Sequence, residues 1–154
     1  GLTDAMQPGL SLLGPDQRQL AISSGDALLG QDSSLARVTY RLQQTGLPII
    51  YFANNGATLL DLSVSSGADV IGLDWRINIR EAGRRVGRKA VQGNLDPFAL
   101  LLPKDELRRR IQGILDGAQE AFGHIFNLGH GIHQFTPPEQ ARIAVEAVHE
   151  LSSR

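Results

Sequence analysis

The sequence predicts an α/β fold built from parallel βα repeats. Three observations carry that prediction. Short apolar runs recur along the C-terminal two thirds of the chain. Each run gives way to a loop rich in Gly, Asn or Asp, and each loop leads into a segment whose apolar residues return with helical period. The runs are continuously apolar rather than alternating, as the strands of a sheet covered by helices must be.

The elements follow in order. Residues 48–52 (PIIYF) read as a strand, Asn54-Asn55-Gly56 as a turn, and residues 58–65 as a short helix that stops at Gly67. Residues 70–73 form the next strand. Ile79, Ala82 and Val86 fall on one face at i, i+3, i+7 and define a second helix. Residues 90–92 are a short strand before Gly93. Leu107, Ile111, Ile114 and Leu115 mark a third helix, and residues 124–128 a strand before Gly129-His130-Gly131. The last helix has the fullest start signal: Thr136 as cap, Pro137 at N1 and Glu139 closing a capping box, with Ala141, Ala144, Val145, Val148 and Leu151 as its buried face. Four βα units therefore occupy residues 46–154. Residues 1–45 form a divergent segment that accommodates one further unit, a strand over 19–23 and a helix over 34–44 with Leu35, Val38 and Leu42 on one face. Such a series makes either an open doubly wound sheet or part of a (β/α)8 barrel. A full barrel needs about 250 residues, so this chain is too short to close one alone.

Composition excludes several classes. The formal net charge is −1, which gives no global drive toward nucleic acid or a membrane surface. Aromatic residues are 5% of the chain, too few for a base-stacking surface. No apolar run approaches the roughly 20 residues of a spanning helix. The first six residues have neither a basic nor an apolar region of the signal-peptide kind. There is no cysteine, so disulfides, thiolate metal sites and cysteine nucleophiles are ruled out, in keeping with a cytoplasmic location.

In parallel βα folds chemistry collects in the loops at the C-terminal ends of strands. That rule selects Asn54-Asn55-Gly56, Asp74-Trp75-Arg76, the loop of residues 93–97, and the loop of residues 127–131. His130 is the foremost candidate. Glycines on both sides leave its imidazole uncovered, and a histidine there can donate to a carboxylate or hold a proton near neutral pH. The competing reading is a loop histidine bonded to its own backbone. Asp74 reads as a base, as the partner that orients an arginine, or as a cap or barrel-mouth salt bridge; the last is the commoner use. Asn94 and Asp96 read as ordinary turn chemistry before Pro97. Arg80, Arg84, Arg85 and Arg88 read as a solvated face, as do Arg108, Arg109 and Arg110, whereas Arg76 stands in a mouth loop. The four histidines lack a metal-binding spacing, and no nucleophile elbow or phosphate loop occurs.

Taken together, residues 70–75 (VIGLDW), 91–97 (VQGNLDP), 124–132 (HIFNLGHGI), 136–139 (TPPE) and 145–152 (VEAVHELS) resemble uroporphyrinogen decarboxylase in order and spacing. The resemblance covers about residues 46–153. It implies the C-terminal half of a TIM (β/α)8 barrel. It also implies an enzyme, cofactor-independent and usually dimeric, that removes the four acetate carboxyls of uroporphyrinogen III as carbon dioxide in haem biosynthesis. The family's Gly-His-Gly histidine, which contacts substrate, falls on His130. A family serine or threonine of an F-D-[ST]-W motif has a faint counterpart in Ser24. The family's essential aspartate, N-terminal arginines and tyrosine belong to the half that has no counterpart here, so no catalytic residue carries over. Half a barrel leaves sheet edges uncovered, which implies self-association or docking onto a complementary half. The resemblance thus implies a tetrapyrrole-handling chain that is inactive in isolation. The alternatives are a non-catalytic fragment and a methyl-transferring relative of the same fold. Such relatives hold zinc through His and Cys, and the lack of cysteine weighs against the second.

Overall fold

A computed structural model describes residues 10–12, 20–23 and 44–153. Among the described residues six strands form one sheet in chain order: β1 (Leu10–Leu12), β2 (Leu20–Ser23), β3 (Ile49–Phe52), β4 (Val70–Gly72), β5 (Ala90–Leu95) and β6 (His124–Leu128). Strands β2 to β6 run parallel, and β1 lies antiparallel on β2. The fold is the expected α/β arrangement of parallel βα repeats. Strand β1 was not anticipated, because three residues are too short to show a period. The helix expected over residues 34–44 lies outside the described residues.

Among the described residues four α-helices alternate with the later strands: α1 (Leu60–Ser65), α2 (Ile79–Arg85), α3 (Lys104–Ala118) and α4 (Pro138–Ser152). The segment expected as one helix over 58–65 divides into a 3-10 turn, Gly56–Leu59, and α1. Asn55 enters that turn in the left-handed conformation at φ 55°, a region asparagine tolerates better than most residues. Helix α2 is capped as its sequence allows: the Asn78 side chain accepts the backbone N–H groups of Arg80 and Glu81.

Side-chain alternation divides the sheet into two faces. Ile49, Tyr51, Ile71, Leu73 and Val91 point toward the helices and join Leu60, Ile79, Ala82 and Val86 in one core. Leu95, Leu100, Leu107, Ile111, Ala144 and Ala147 form a second core under α3 and α4. Burying one such aliphatic side chain contributes roughly 1.5–3 kcal/mol. On the opposite face Phe52, Gly72, Gln92 and Ile125 stand in register across four strands. That face grades from buried Ile50 and Val70 to half-exposed Phe52 and Gln92 and exposed Asn127 at the C-terminal strand ends.

Three expectations need correction. Helix α4 begins at Pro138 with Pro137 as its cap residue, and no side chain caps it. Two successive prolines leave only the Glu139 N–H for a Thr136 cap to hold, and the buried Thr136 hydroxyl does not take it. Glu139 pairs with Arg142 instead of reaching back. Second, Val145 is 55% exposed and Ala147 is buried. Helix α4 turns Ala144, Ala147 and Leu151 toward α3 and leaves Val145 on the rim of an open groove. Third, β5 runs on to Leu95, so Asn94 lies in a buried strand rather than in a turn.

Candidate functional site at the strand ends

The parallel strands bring the predicted loops to one end of the sheet, and the Asp74-Trp75-Arg76 loop ties them together. Asp74 is 2% exposed. Its Oδ2 accepts the Asn55 backbone N–H at 2.8 Å, which fastens the loop after β3. Its Oδ1 accepts the Arg76 backbone N–H at 2.9 Å. The Arg76 Nη1 reaches both carboxylate oxygens, at 3.0 and 2.9 Å. With four such contacts Asp74 is a brace and the anchor of Arg76, not a free base. The Arg76 guanidinium lies 4.4 Å from the centroid of the Trp75 ring, a cation–π stack.

Asn94 binds β5 to the same loop. Its Nδ2 donates to the Asp74 carbonyl at 3.0 Å and the Ile77 carbonyl at 2.7 Å, while its Oδ1 is buried without a partner. Sequence reasoning missed this role because Asn before Leu-Asp-Pro reads as turn chemistry. The available signal was a polar residue continuing the apolar run of β5. Asp96 behaves as expected and caps the 3-10 turn Pro97–Leu101 by accepting the Phe98 N–H.

The loop after β6 closes the arrangement. The Trp75 N–H donates to the Gly129 carbonyl, and the Gly129 N–H donates to Leu95 at 2.8 Å. A Cβ at Gly129 would meet the Trp75 nitrogen at 2.3 Å, whereas one at Gly131 would meet nothing within 4 Å. Gly129 therefore serves the neighbouring loop, not a ligand. His130 lines a cavity of about 530 Å³ together with Phe52, Asn54, Gln92, Asn127 and Ile132. Its exposed ring has no hydrogen-bond partner among the described residues, its own backbone included. At the rim His133 lies between Phe98 and Phe135, with ring centroids 5.1 and 5.4 Å away. Ser24 lies outside the described residues, so it is not placed relative to this cavity.

The arginines of α2 and α3 are committed elsewhere. Arg80 and Arg84 pair with Glu120, holding its carboxyl below the usual range chiefly through the Arg84 hydrogen bond. Arg85 pairs with Asp61 and Glu81, and Arg108, Arg109 and Arg110 with Glu150 and Glu106. His124, at the start of β6, meets the Gly93 carbonyl through Nε2 at 2.7 Å. Burial pushes its pKa below the usual 6.5, opposed in part by that hydrogen bond. Among the described residues no three His, Asp or Glu side chains converge as a metal site would require.

A parallel sheet with its polar loops gathered at the C-terminal strand ends is the layout shared by βα folds, in which those loops form the ligand mouth. The sequence profile described as uroporphyrinogen decarboxylase (URO-D) matches residues 33–151. A uroporphyrinogen decarboxylase of Desulfotalea psychrophila is 73% identical over 118 residues, 77% of this chain and 35% of that protein. One from Carboxydothermus hydrogenoformans is 54% identical over 113 residues, 73% of this chain and 32% of that protein. One from Photobacterium profundum is 50% identical over 108 residues, 69% of this chain and 30% of that protein. The chain belongs to the uroporphyrinogen decarboxylase family, and it spans about a third of the length of these relatives.

Proposed function

We propose that this chain forms the C-terminal part of a uroporphyrinogen-decarboxylating barrel and binds the tetrapyrrole substrate through His130. The carrying observation is the placement of that imidazole, exposed, unpaired and facing a cavity at the strand ends. Decarboxylation of a pyrrole acetate needs no cofactor: protonation of a ring carbon creates the electron sink for carbon dioxide loss. The pocket must then accept many carboxylates, steady a developing cation and supply a proton. His130 meets the first need by donating to a substrate carboxylate. The acid–base group and the remaining contacts belong to the other part of the barrel, with Ser24 as a further candidate contact. The chain alone therefore binds without turning over. Its reaction class is carboxy-lyase, in porphyrin biosynthesis, with a cytoplasmic location. No described helix is long and apolar enough to cross a membrane, and no nucleic acid partner is proposed.

Residues 46–154 supply four βα units, and residues 1–45 a divergent segment. The edge of β6 that is unpaired among the described residues and the groove of about 290 Å³ beside it, lined by Phe126, Leu128, Val145 and Val148, receive the complementary half or a second copy. Light scattering at micromolar concentration should show association, and a stable monomer speaks against it. For His130 the test is titration with the air-stable octacarboxylate porphyrin. His130→Ala should weaken binding about ten- to a hundredfold, the worth of one charge-assisted hydrogen bond. Equal affinity would reduce His130 to a loop residue. Mixing the chain with the N-terminal part of a family member should then yield turnover of uroporphyrinogen. Binding with no turnover in the mixture would favour a non-catalytic fragment.

A further inference from the structure

Arg76 is anchored more firmly than charge neutralisation requires, and part of it is left over. It gives Asp74 one nitrogen, Nη1, although that carboxylate already accepts the backbone N–H groups of Asn55 and Arg76. Its guanidinium is also seated on the Trp75 ring. Nε and Nη2 have no hydrogen-bond partner among the described residues, and the side chain is 46% exposed. Arg84 also gives a carboxylate only one nitrogen, but among the described residues Arg80, Arg84, Arg85 and Arg142 are paired at the surface without an aromatic ring beneath the guanidinium. A guanidinium fixed on two sides with donors free is a preorganised receptor for a planar anion. Arg76 does not itself line the His130 cavity, but its loop abuts two segments that do. Trp75 bears on Gly129, the residue before His130, and Asp74 holds Asn55, beside the cavity-lining Asn54.

We propose that Arg76 is a second carboxylate-binding residue of the mouth, taking one acidic side arm of the ligand while His130 takes another. This rests on the tetrapyrrole reading above. The test is titration of the chain with an octacarboxylate porphyrin and, in mild detergent, with its neutral octamethyl ester. Arg76→Gln should weaken octacarboxylate binding about tenfold or more and flatten its salt dependence, with ester binding unchanged. Arg76→Lys keeps a charge beside Asp74 but loses the fork, and should fall between the two; it decides the matter if the glutamine variant does not fold. Unchanged octacarboxylate affinity in the folded variants would overturn the role of Arg76 and leave the tetrapyrrole reading standing. No porphyrin binding by the unsubstituted chain would overturn both.

Discussion

Strands β3 and β4 are buried along most of their length, whereas β6 is half-buried or exposed at every residue. The composition of the two regions does not explain this, since His124, Ile125, Phe126 and Leu128 are as capable of burial as Ile49, Tyr51 and Val70. The difference is neighbours. Strands β3 and β4 have a strand on each side, but β6 has one only on the β5 side among the described residues. Helix α4 shows the same asymmetry, with Ala144 and Ala147 buried and Val145 exposed toward the groove. Exposure of apolar residues here follows the missing neighbour strand among the described residues, and this is the edge that the proposed association would cover.

The most severe way to sharpen that contrast is a pair of equal truncations. Ile71→Ala should cost about 2–5 kcal/mol, because Ile71 is wholly buried and its cavity cannot collapse. Ile125→Ala, at a residue 43% exposed, should cost less than about 1 kcal/mol. Urea unfolding midpoints compare the two, and similar losses would remove the distinction between the regions. Asp74→Ala should cost roughly 2–4 kcal/mol by stranding the Asn55 and Arg76 N–H groups and releasing the loops; an unchanged midpoint would show that the brace is redundant. Gly129→Ala should cost about 1–3 kcal/mol, since the added Cβ must push the Trp75 backbone away.

A smaller effect belongs to pH. The pKa of His124 is lowered in the folded chain, chiefly by burial, so the unfolded chain takes up the proton first. The stability from neutral His124 is present in full above the unfolded value of about 6.5 and declines as pH falls below it. Thermal unfolding between pH 7.5 and 5.5 should show this decline, and His124→Gln should lessen it. The least effect is expected for Arg142→Ala. It breaks exposed pairs with Glu139 and Glu146 and should leave the urea unfolding midpoint nearly unchanged.

How much of this was legible in the sequence depends on the range of the interaction. The strands near 49, 70, 90 and 124 show as apolar runs because burial against helices needs continuous apolarity. The TPPE start of α4 was misplaced by one residue because a motif gives the residues of a cap and not the backbone path that decides whether the hydroxyl reaches the N–H. Asn94 and the purpose of Gly129 were hidden for another reason. Their partners, Asp74, Ile77 and Trp75, are distant in sequence and come near only when parallel strands align. The exposed position of His130 was legible because its flanking glycines are local, although Gly129 turns out to accommodate Trp75. The exposure of Val145 depends on what lies across the groove, which helical period cannot report.

Trp75 is the only tryptophan in the chain, and it sits where three loops meet: stacked under Arg76, against Gly129, and one residue from Asp74. The molecule thus carries its own optical label at the mouth. Its emission should register ligand arrival, a shift of the His130 loop or the seating of a partner along β6, each without a dye or a tag. The quenching pattern across Arg76, His130 and Val145 variants would separate those three events by place.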